Sequence, residues 1–297
     1  MEAYDEFALL AENAQEAGLE FDAPMLRRVT TTAPSGLELS GLAWGDGPPE
    51  AVLIHGGAQN AHTWDTVALA LDRPLLAVDL PGHGHSAWRP DHDYRPQTMA
   101  PDVVAMIAAH APGAQMVVGM SLGGLTALAA LAVEPTLADQ LVLVDITPGV
   151  NQEKAAAIVA FVDGPSEFES FDALLERTMA HNPTRSRSSL RRGILHNARE
   201  RPDGAWEWRY DRPTRDPERL GVLDGRFADL WEAVSEVDAA LVLLQGALSP
   251  VVDAEDVAEL RRRRADAEVI VVEGAGHSIQ GDQPLELARI LAERLSD

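Results

Sequence analysis

The sequence contains no cysteine. This absence excludes a disulfide framework, a thiolate zinc site and a cysteine nucleophile. Long apolar runs are also lacking, since no stretch reaches the roughly 18 residues that a membrane-spanning helix needs. The first 20 residues are acidic and lack the positively charged start of a secretory signal. We therefore expect a cytoplasmic protein with no membrane partner.

Positive charge is scarce as well. The chain has 24 Lys and Arg against 47 Asp and Glu, which gives a formal net charge of -23 and argues against nucleic-acid binding. One segment differs: between Arg177 and Arg226 there are twelve Arg and seven acidic residues, a local balance of 12 − 7 = +5. These arginines either pair with acidic neighbours or draw an anionic ligand to a cleft.

Short apolar runs alternate with helix-like stretches along the 297 residues. This alternation predicts an α/β fold with an eight-stranded, mostly parallel sheet and helices on both faces. Only APSG separates the first two runs, so we expect them to form an antiparallel hairpin. The predicted strands are 26–31, 37–45, 51–57, 74–80, 115–120, 141–146, 240–246 and 268–274.

The alternation stops over residues 147–237, where no convincing strand is found. A stretch of about 90 residues is too long for a loop in a compact domain, so we predict an inserted helical cap or lid. The core domain then comprises 1–146 and 238–297. The aromatic residues of the insertion either line an apolar pocket or form the cap's own core; they are Phe161, Phe168, Phe171, Trp206, Trp208, Tyr210, Phe227 and Trp231.

The stretch QMVVGMSLGGL places Ser121 between an apolar strand and an Ala/Leu-rich helix. Gly119 and Gly123 complete the pattern G-x-S-x-G, in which a strand turns at once into a helix and leaves no room for side chains two positions from the serine. The strand-turn-helix context favours a nucleophilic serine over a structural one. A nucleophile elbow is therefore predicted at Ser121.

The other parts of a serine-hydrolase site follow two further strands. His277 lies in a glycine-rich loop, GAGHS, and is the predicted base. The predicted oxyanion hole consists of the N–H of Leu122, after the nucleophile, and the N–H of Gly57, in the HGG loop. We expect His55 to brace that loop and His62 to lie at the surface or the rim of the site.

These motifs, HGGAQNAHTW, DLPGHGHS, GMSLGG and GAGHSIQGDQP, resemble those of the α/β-hydrolases in their order and spacing. The resemblance covers nearly the whole chain except the cap. It implies a family that includes esterases, lactonases, carbon–carbon bond hydrolases, perhydrolases, epoxide hydrolases and dehalogenases. The last two normally carry Asp at the elbow, so Ser121 argues against them.

The acid of the catalytic triad departs from the family pattern. The resemblance implies an Asp shortly after the seventh strand, in a pattern like G-x-x-D-P, but this sequence has Ser249 there, in GALSP. Asp253 lies four residues later and also fits a helix N-terminus. Asp145 ends the sixth strand, a position at which some α/β-hydrolases carry their acid. We favour Asp145, and Asp253 remains the alternative.

The predicted function is hydrolysis of a carboxylic ester or lactone through an acyl-enzyme, with Ser121, His277 and Asp145 as the triad. The expected substrate is a hydrophobic small molecule, and no metal or organic cofactor is required. One alternative is carbon–carbon bond hydrolysis by the same triad. The other is a ligand-binding protein that kept the fold and lost turnover, which the serine at position 249 favours.

Overall fold

A computed structural model describes residues 4–183, 185–212 and 227–295 of the chain. Its strands are β1 Leu26–Thr32, β2 Glu38–Trp44, β3 Ala51–Ile54, β4 Leu75–Asp79, β5 Met116–Met120, β6 Gln140–Val144, β7 Glu167–Phe168, β8 Ala198–Glu200, β9 Trp206–Trp208, β10 Ala240–Gly246 and β11 Glu268–Val272. Its α-helices are α1 Leu10–Ala17, α2 Asp65–Leu71, α3 Pro96–His110, α4 Leu122–Val133, α5 Ala156–Val162, α6 Phe171–His181, α7 Arg187–Asn197, α8 Leu230–Glu236, α9 Ala254–Arg263, α10 Ile279–Asp282 and α11 Pro284–Ala292, and a 3₁₀-helix spans Ala61–Trp64.

Eight strands form the main sheet, in the order β1-β2-β4-β3-β5-β6-β10-β11. β2 runs antiparallel to both β1 and β4, and the remaining pairs are parallel. The predicted mostly parallel sheet and its first hairpin are therefore confirmed. Because β5 lies between β3 and β6, the loops that follow these three strands meet at the carboxyl edge of the sheet, where ligands bind in such folds.

The central strands β3, β4, β5 and β6 are apolar on both faces because helices cover both sides of the sheet. In β6, Leu141 and Leu143 face the layer of α3, α4 and α8. Val142 and Val144 face the opposite layer, which α1, α2 and α11 form. None of the helices in the described ranges combines the length and the apolar character that crossing a bilayer requires.

Three short strands lie in the segment that was predicted to contain none. β9 pairs antiparallel with both β7 and β8 to form a separate three-stranded sheet. The prediction of a purely helical insertion is wrong on this point, because strands of two or three residues are too short to show the alternation that identifies a strand. Helices α5, α6 and α7 supply the rest of the insertion that the structure describes.

The aromatic residues of the insertion divide between two cores. The cap is defined as the described residues of 147–212. Six aromatic residues pack together within it, namely Phe161, Phe168, Phe171, Trp206, Trp208 and Tyr210. Phe227 and Trp231 instead join the main core on the α4 side of the sheet. Helix α8, which carries Trp231 and lies within the range 147–237, thus packs against the core domain. Most of the cap's aromatic surface stabilises the cap itself.

Candidate active site

Ser121 occupies a sharp turn between β5 and α4, with φ 51° and ψ −121°. A positive φ is strained for a residue with a side chain and is characteristic of functional turns. The flanking glycines are required by close packing: a Cβ atom at Gly119 would lie 2.5 Å from the carbonyl oxygen of Gly123, and one at Gly123 would overlap the carbonyl oxygens of Ile54 and His55. The predicted strand-turn-helix geometry is confirmed.

The HGG loop after β3 lies directly against this turn. A Cβ atom at Gly56 would lie 3.3 Å from Cβ of Ser121, and one at Gly57 would lie 3.7 Å from Cδ2 of Leu122. Leu122 is the first residue of α4, so its N–H group has no acceptor within the helix. The two backbone segments predicted to form the oxyanion hole are therefore neighbours beside Ser121.

Two buried histidines hold the loops around the turn in place. Nδ1 of His55 donates to the carbonyl of Gly56 (2.7 Å), and its Nε2 accepts the N–H of Leu80 (3.0 Å). Nε2 of His83 accepts the N–H of Ala58 at 3.1 Å. Burial lowers the pKa of His55 and lowers that of His83 to about 3, so both imidazoles are neutral. The predicted bracing role of His55 is confirmed.

Asp145 and His277 are in direct contact. Oδ2 of Asp145 accepts a hydrogen bond from Nδ1 of His277 at 2.8 Å, and Oδ1 accepts the N–H of Gly246 at 2.8 Å. Asp145 is completely buried and adopts φ 50° at the end of β6. A buried carboxylate requires such partners, because desolvation of an unpaired charge is costly.

Ser249 completes the surroundings of this carboxylate. Its hydroxyl donates a short hydrogen bond to Oδ2 of Asp145. The residue at the usual position of the acid thus binds the carboxylate on the neighbouring strand. The sequence alone shows Ser249 only as a serine at the position where the family usually has its acid. Its side-chain donor, on the loop after the strand next to β6, was the signal that could have indicated this contact.

His277 is held by its own loop. Oδ2 of Asp282 accepts the N–H of Gly276 at 2.9 Å, which ties the loop to the end of α10. With the proton of Nδ1 directed at Asp145, Nε2 is the acceptor nitrogen of the neutral ring. In the described part of the chain this Nε2 atom is buried and has no hydrogen-bond partner. It is therefore available to a proton donor in the active site.

Asp253 has a different set of partners. Its side chain caps α9 by accepting the N–H groups of Glu255 (2.9 Å) and Asp256 (3.0 Å). It also pairs with Nζ of Lys154 at 2.9 Å. These are the contacts of a helix N-cap, in agreement with the helix N-terminus that the sequence suggested at this residue.

His62 is buried and lines the cavity between cap and core, so the prediction that it lies at the surface is wrong. Its Nδ1 contacts Asp65 at 2.9 Å and its Nε2 contacts Glu6 at 3.4 Å. Its ring stacks on that of His196 from the cap, with centroids 3.8 Å apart. Burial acts to lower the pKa of His62, but the carboxylates outweigh it and raise the pKa to about 9. A protonated imidazole between carboxylates explains the burial of this side chain.

His62, Asp65 and His196 bring three potential metal-ligand atoms within 4.8 Å of one another. The two ring planes, however, are only 11° apart. The nitrogen lone pairs of a histidine lie in the plane of its ring, so stacked rings do not direct them at one point between them. This arrangement fits a hydrogen-bonded junction between core and cap better than a metal site.

Most of the cap arginines in the described ranges pair with carboxylates. Arg187 pairs with Asp172, Arg191 and Arg192 with Glu12, Arg199 with Glu207, and Arg201 with Glu167 and Asp203. The interpretation that these residues pair with acidic neighbours is confirmed for this group. Arg215, Arg219 and Arg226 lie outside the described residues.

Comparisons with known proteins identify relatives of this chain. Residues 51–290 match the model of the alpha/beta hydrolase family. The chain is 46% identical to Esterase Rv0045c of Mycobacterium tuberculosis over 294 residues, or 97% of this chain and 94% of that protein. A crystal structure of that esterase superposes with a TM-score of 0.85 at 44% identity and covers 99% of this chain and 98% of its own. The chain is also 29% identical to 2-(acetamidomethylene)succinate hydrolase of Mesorhizobium japonicum over 241 residues, or 80% of this chain and 84% of that protein.

The chain therefore belongs to the α/β hydrolase family, as its sequence motifs indicated. Its similarity to an esterase extends over almost the whole length of both proteins. It is an ester-hydrolysing enzyme, which excludes the alternative of a fold that kept only ligand binding.

Proposed function

We propose that the enzyme hydrolyses a carboxylic ester or lactone through an acyl-enzyme on Ser121. His277 acts as the base, Asp145 as the acid that orients it, and the N–H groups of Gly57 and Leu122 stabilise the oxyanion. The observation that carries this proposal is the hydrogen bond of 2.8 Å between Nδ1 of His277 and Asp145. It leaves the buried Nε2 atom as the acceptor for the serine proton.

In the first half of the reaction Oγ of Ser121 attacks the ester carbonyl carbon while Nε2 of His277 takes the hydroxyl proton. The tetrahedral intermediate then expels the alcohol, which receives that proton, and the acyl group remains on the serine. In the second half, water attacks the acyl-enzyme by the same route and releases the carboxylic acid. No metal or organic cofactor takes part in these steps.

The proposed substrate is a small molecule with an apolar portion. Phe161 and Trp208 of the cap line a cavity between cap and core, and aromatic walls of this kind bind apolar groups. The resemblance to an esterase favours ester cleavage over carbon–carbon bond cleavage. A cytoplasmic location remains part of the proposal, and cell fractionation tests it.

The test combines labelling and turnover. Wild type and Ser121→Ala are compared on a panel of aryl esters, alkyl esters and lactones, and both are treated with a fluorophosphonate probe followed by peptide mass spectrometry. We expect wild type to turn over esters and to carry the probe on Ser121, and the variant to do neither. Undiminished turnover by Ser121→Ala, or attachment of the probe to another residue, would show that the nucleophile is assigned wrongly.

A further inference from the structure

A cavity of about 290 Å³ lies between the cap and the core domain. Its wall includes Gln59, Thr63 and Gln280 from the core and Asn182 and Arg185 from the cap. This volume is at the lower end of the range for sites that bind small molecules. A ligand in the cavity would therefore meet the hydrogen-bonding groups of these side chains.

Hydrogen bonds connect the cavity wall to the catalytic loops. Oε1 of Gln59 accepts the N–H of Gly56, at 3.2 Å, and Gly56 lies against Ser121. Nε2 of Gln280 donates to Gln59 at 3.3 Å, and Gln280 follows His277 by three residues. The side chain of Gln59 thus contacts the loop beside Ser121 and also lines the cavity.

Arg185 is the unpaired charge in this wall. Its Nη2 donates to Oγ of Ser189 at 2.7 Å, whereas its Nε is buried and has no partner among the described residues. Within the same ranges no carboxylate lies within 4.0 Å of the guanidinium. Burial lowers the pKa of Arg185, and the more distant Asp282 acts in the opposite direction without outweighing burial. A buried guanidinium without a counter-ion is costly, because such charges are normally paired.

The other charged groups of the wall already have partners. Arg192 pairs with Glu16 at 2.6 Å, and Asp65 contacts His62 at 2.9 Å. Gly281 lets the guanidinium lie against α10, which follows the loop that carries His277, since a Cβ atom at Gly281 would lie 2.9 Å from Nη1 of Arg185. Among the described residues of the wall, Arg185 is therefore a positive charge that has no ion-pair partner.

We propose that Arg185 binds a carboxylate at the end of the substrate remote from the scissile ester. Guanidinium groups bind carboxylates through charge-assisted hydrogen bonds from their N–H groups. The substrate class is then an ester that carries a free carboxylate, such as a half-ester of a dicarboxylic acid. This inference rests on the proposed ester hydrolysis at Ser121.

The test measures kcat/KM for monoethyl esters of straight-chain dicarboxylic acids of increasing length. Each is paired with the ethyl ester of the monocarboxylic acid that has the same number of carbon atoms. Wild type is expected to prefer the half-ester at one length or more. Arg185→Gln should lower kcat/KM for that half-ester about 10- to 100-fold, the value of one charge-assisted hydrogen bond, while it changes the neutral ester less than about threefold. Arg185→Lys should retain part of the preference.

Arg187→Gln is the matched control, because Arg187 lies two residues away, is exposed and pairs only at 3.8 Å with Asp172. It should change neither series. Preference of wild type for the neutral ester at every length would overturn the proposal. Equal losses on both series in Arg185→Gln would also overturn it, since they would assign Arg185 to the attachment of the cap. Absence of turnover on both series in wild type would refute the proposed ester hydrolysis itself.

Discussion

At the scale of single residues, the choice between Asp145 and Asp253 has the sharpest test. Asp145→Asn should lower kcat by about 10³- to 10⁴-fold, because an amide cannot hold the imidazole of His277 in the required tautomer. Asp253→Asn should change kcat by less than about twofold, since Asn caps a helix nearly as well as Asp. Steady-state kinetics with circular dichroism as a folding control measures both. A large loss in Asp253→Asn and a small one in Asp145→Asn would reverse the assignment.

Ser249 gives a second prediction at this scale. Ser249→Ala removes one donor from the buried Asp145 carboxylate and should lower kcat about tenfold with little change in KM. Ser249→Thr keeps the hydroxyl and should retain most of the activity. A change in KM alone would contradict a role in positioning the triad.

The same contact allows a rescue experiment. Asp145→Asn combined with Ser249→Asp moves the carboxylate to the position usual in the family, within reach of the same imidazole. We expect the double variant to be at least about tenfold more active than Asp145→Asn alone. If the two are equally inactive, the Ser249 position does not lead to the imidazole.

The contact between Asp145 and His277 could be predicted from the sequence, because each residue follows a strand and parallel strands bring these ends to one edge. Their other partners could not be predicted in the same way. The hydroxyl of Ser249 reaches Asp145 only because β10 and β6 are neighbours with Leu244 opposite Val144. That register is a property of the assembled sheet and is absent from the local pattern around either residue.

At the scale of elements, the turn between β5 and α4 has the least tolerance for added volume. Gly123→Ala would force a methyl group onto the carbonyl oxygens of Ile54 and His55. We expect a loss of about 3 kcal/mol or more in the free energy of unfolding, because backbone atoms on both sides cannot move aside. Denaturant titration measures it.

Gly193 provides the matched control, since it lies inside α7 and a Cβ atom there would meet nothing within 4 Å. Gly193→Ala should stabilise the protein by up to about 1 kcal/mol, because alanine loses less conformational entropy than glycine in a helix. Equal effects of the two substitutions would show that the turn is not tightly packed.

Element length decided how well the rest of the fold could be predicted. Strands such as β6 and β10 contain continuous apolar runs of four and five residues, and these runs identify them. The cap strands have two or three residues and were missed.

At the scale of the whole molecule, three distant parts of the chain meet around His62. Glu6 comes from the N-terminal segment, Asp65 from α2 of the core, and His196 from α7 of the cap. The hydroxyl of Tyr4 donates a hydrogen bond to Nδ1 of His196 at 2.7 Å. This junction could not be predicted, because a histidine followed by Thr-Trp-Asp carries no sign of which remote residues will bury it.

Because His62 is protonated in this junction, we expect the protein to become less stable as the pH rises into the alkaline range. The pKa of His62 is raised to about 9 in the folded protein, compared with an ordinary value of 6.5. Its contribution is therefore complete below pH 6.5 and is lost as the pH rises through 9. At one pKa unit per 1.4 kcal/mol, the loss is on the order of 3 kcal/mol. Urea denaturation at pH 6, 7.5, 9 and 10 should show this fall in the free energy of unfolding.

His62→Gln should be less stable at pH 6 and should lose most of the fall between pH 6 and 10, because it has no proton to release. Burial acts against the charges of Glu6 and Arg28, but their mutual contact lowers the pKa of Glu6 and raises that of Arg28, so both keep their charges across this range. His181→Gln is the control, since His181 is exposed on α6 and its replacement should leave the slope intact. If stability falls with pH equally in wild type and His62→Gln, the titrating group lies elsewhere. The charge on His62 then does not stabilise the contact between cap and core.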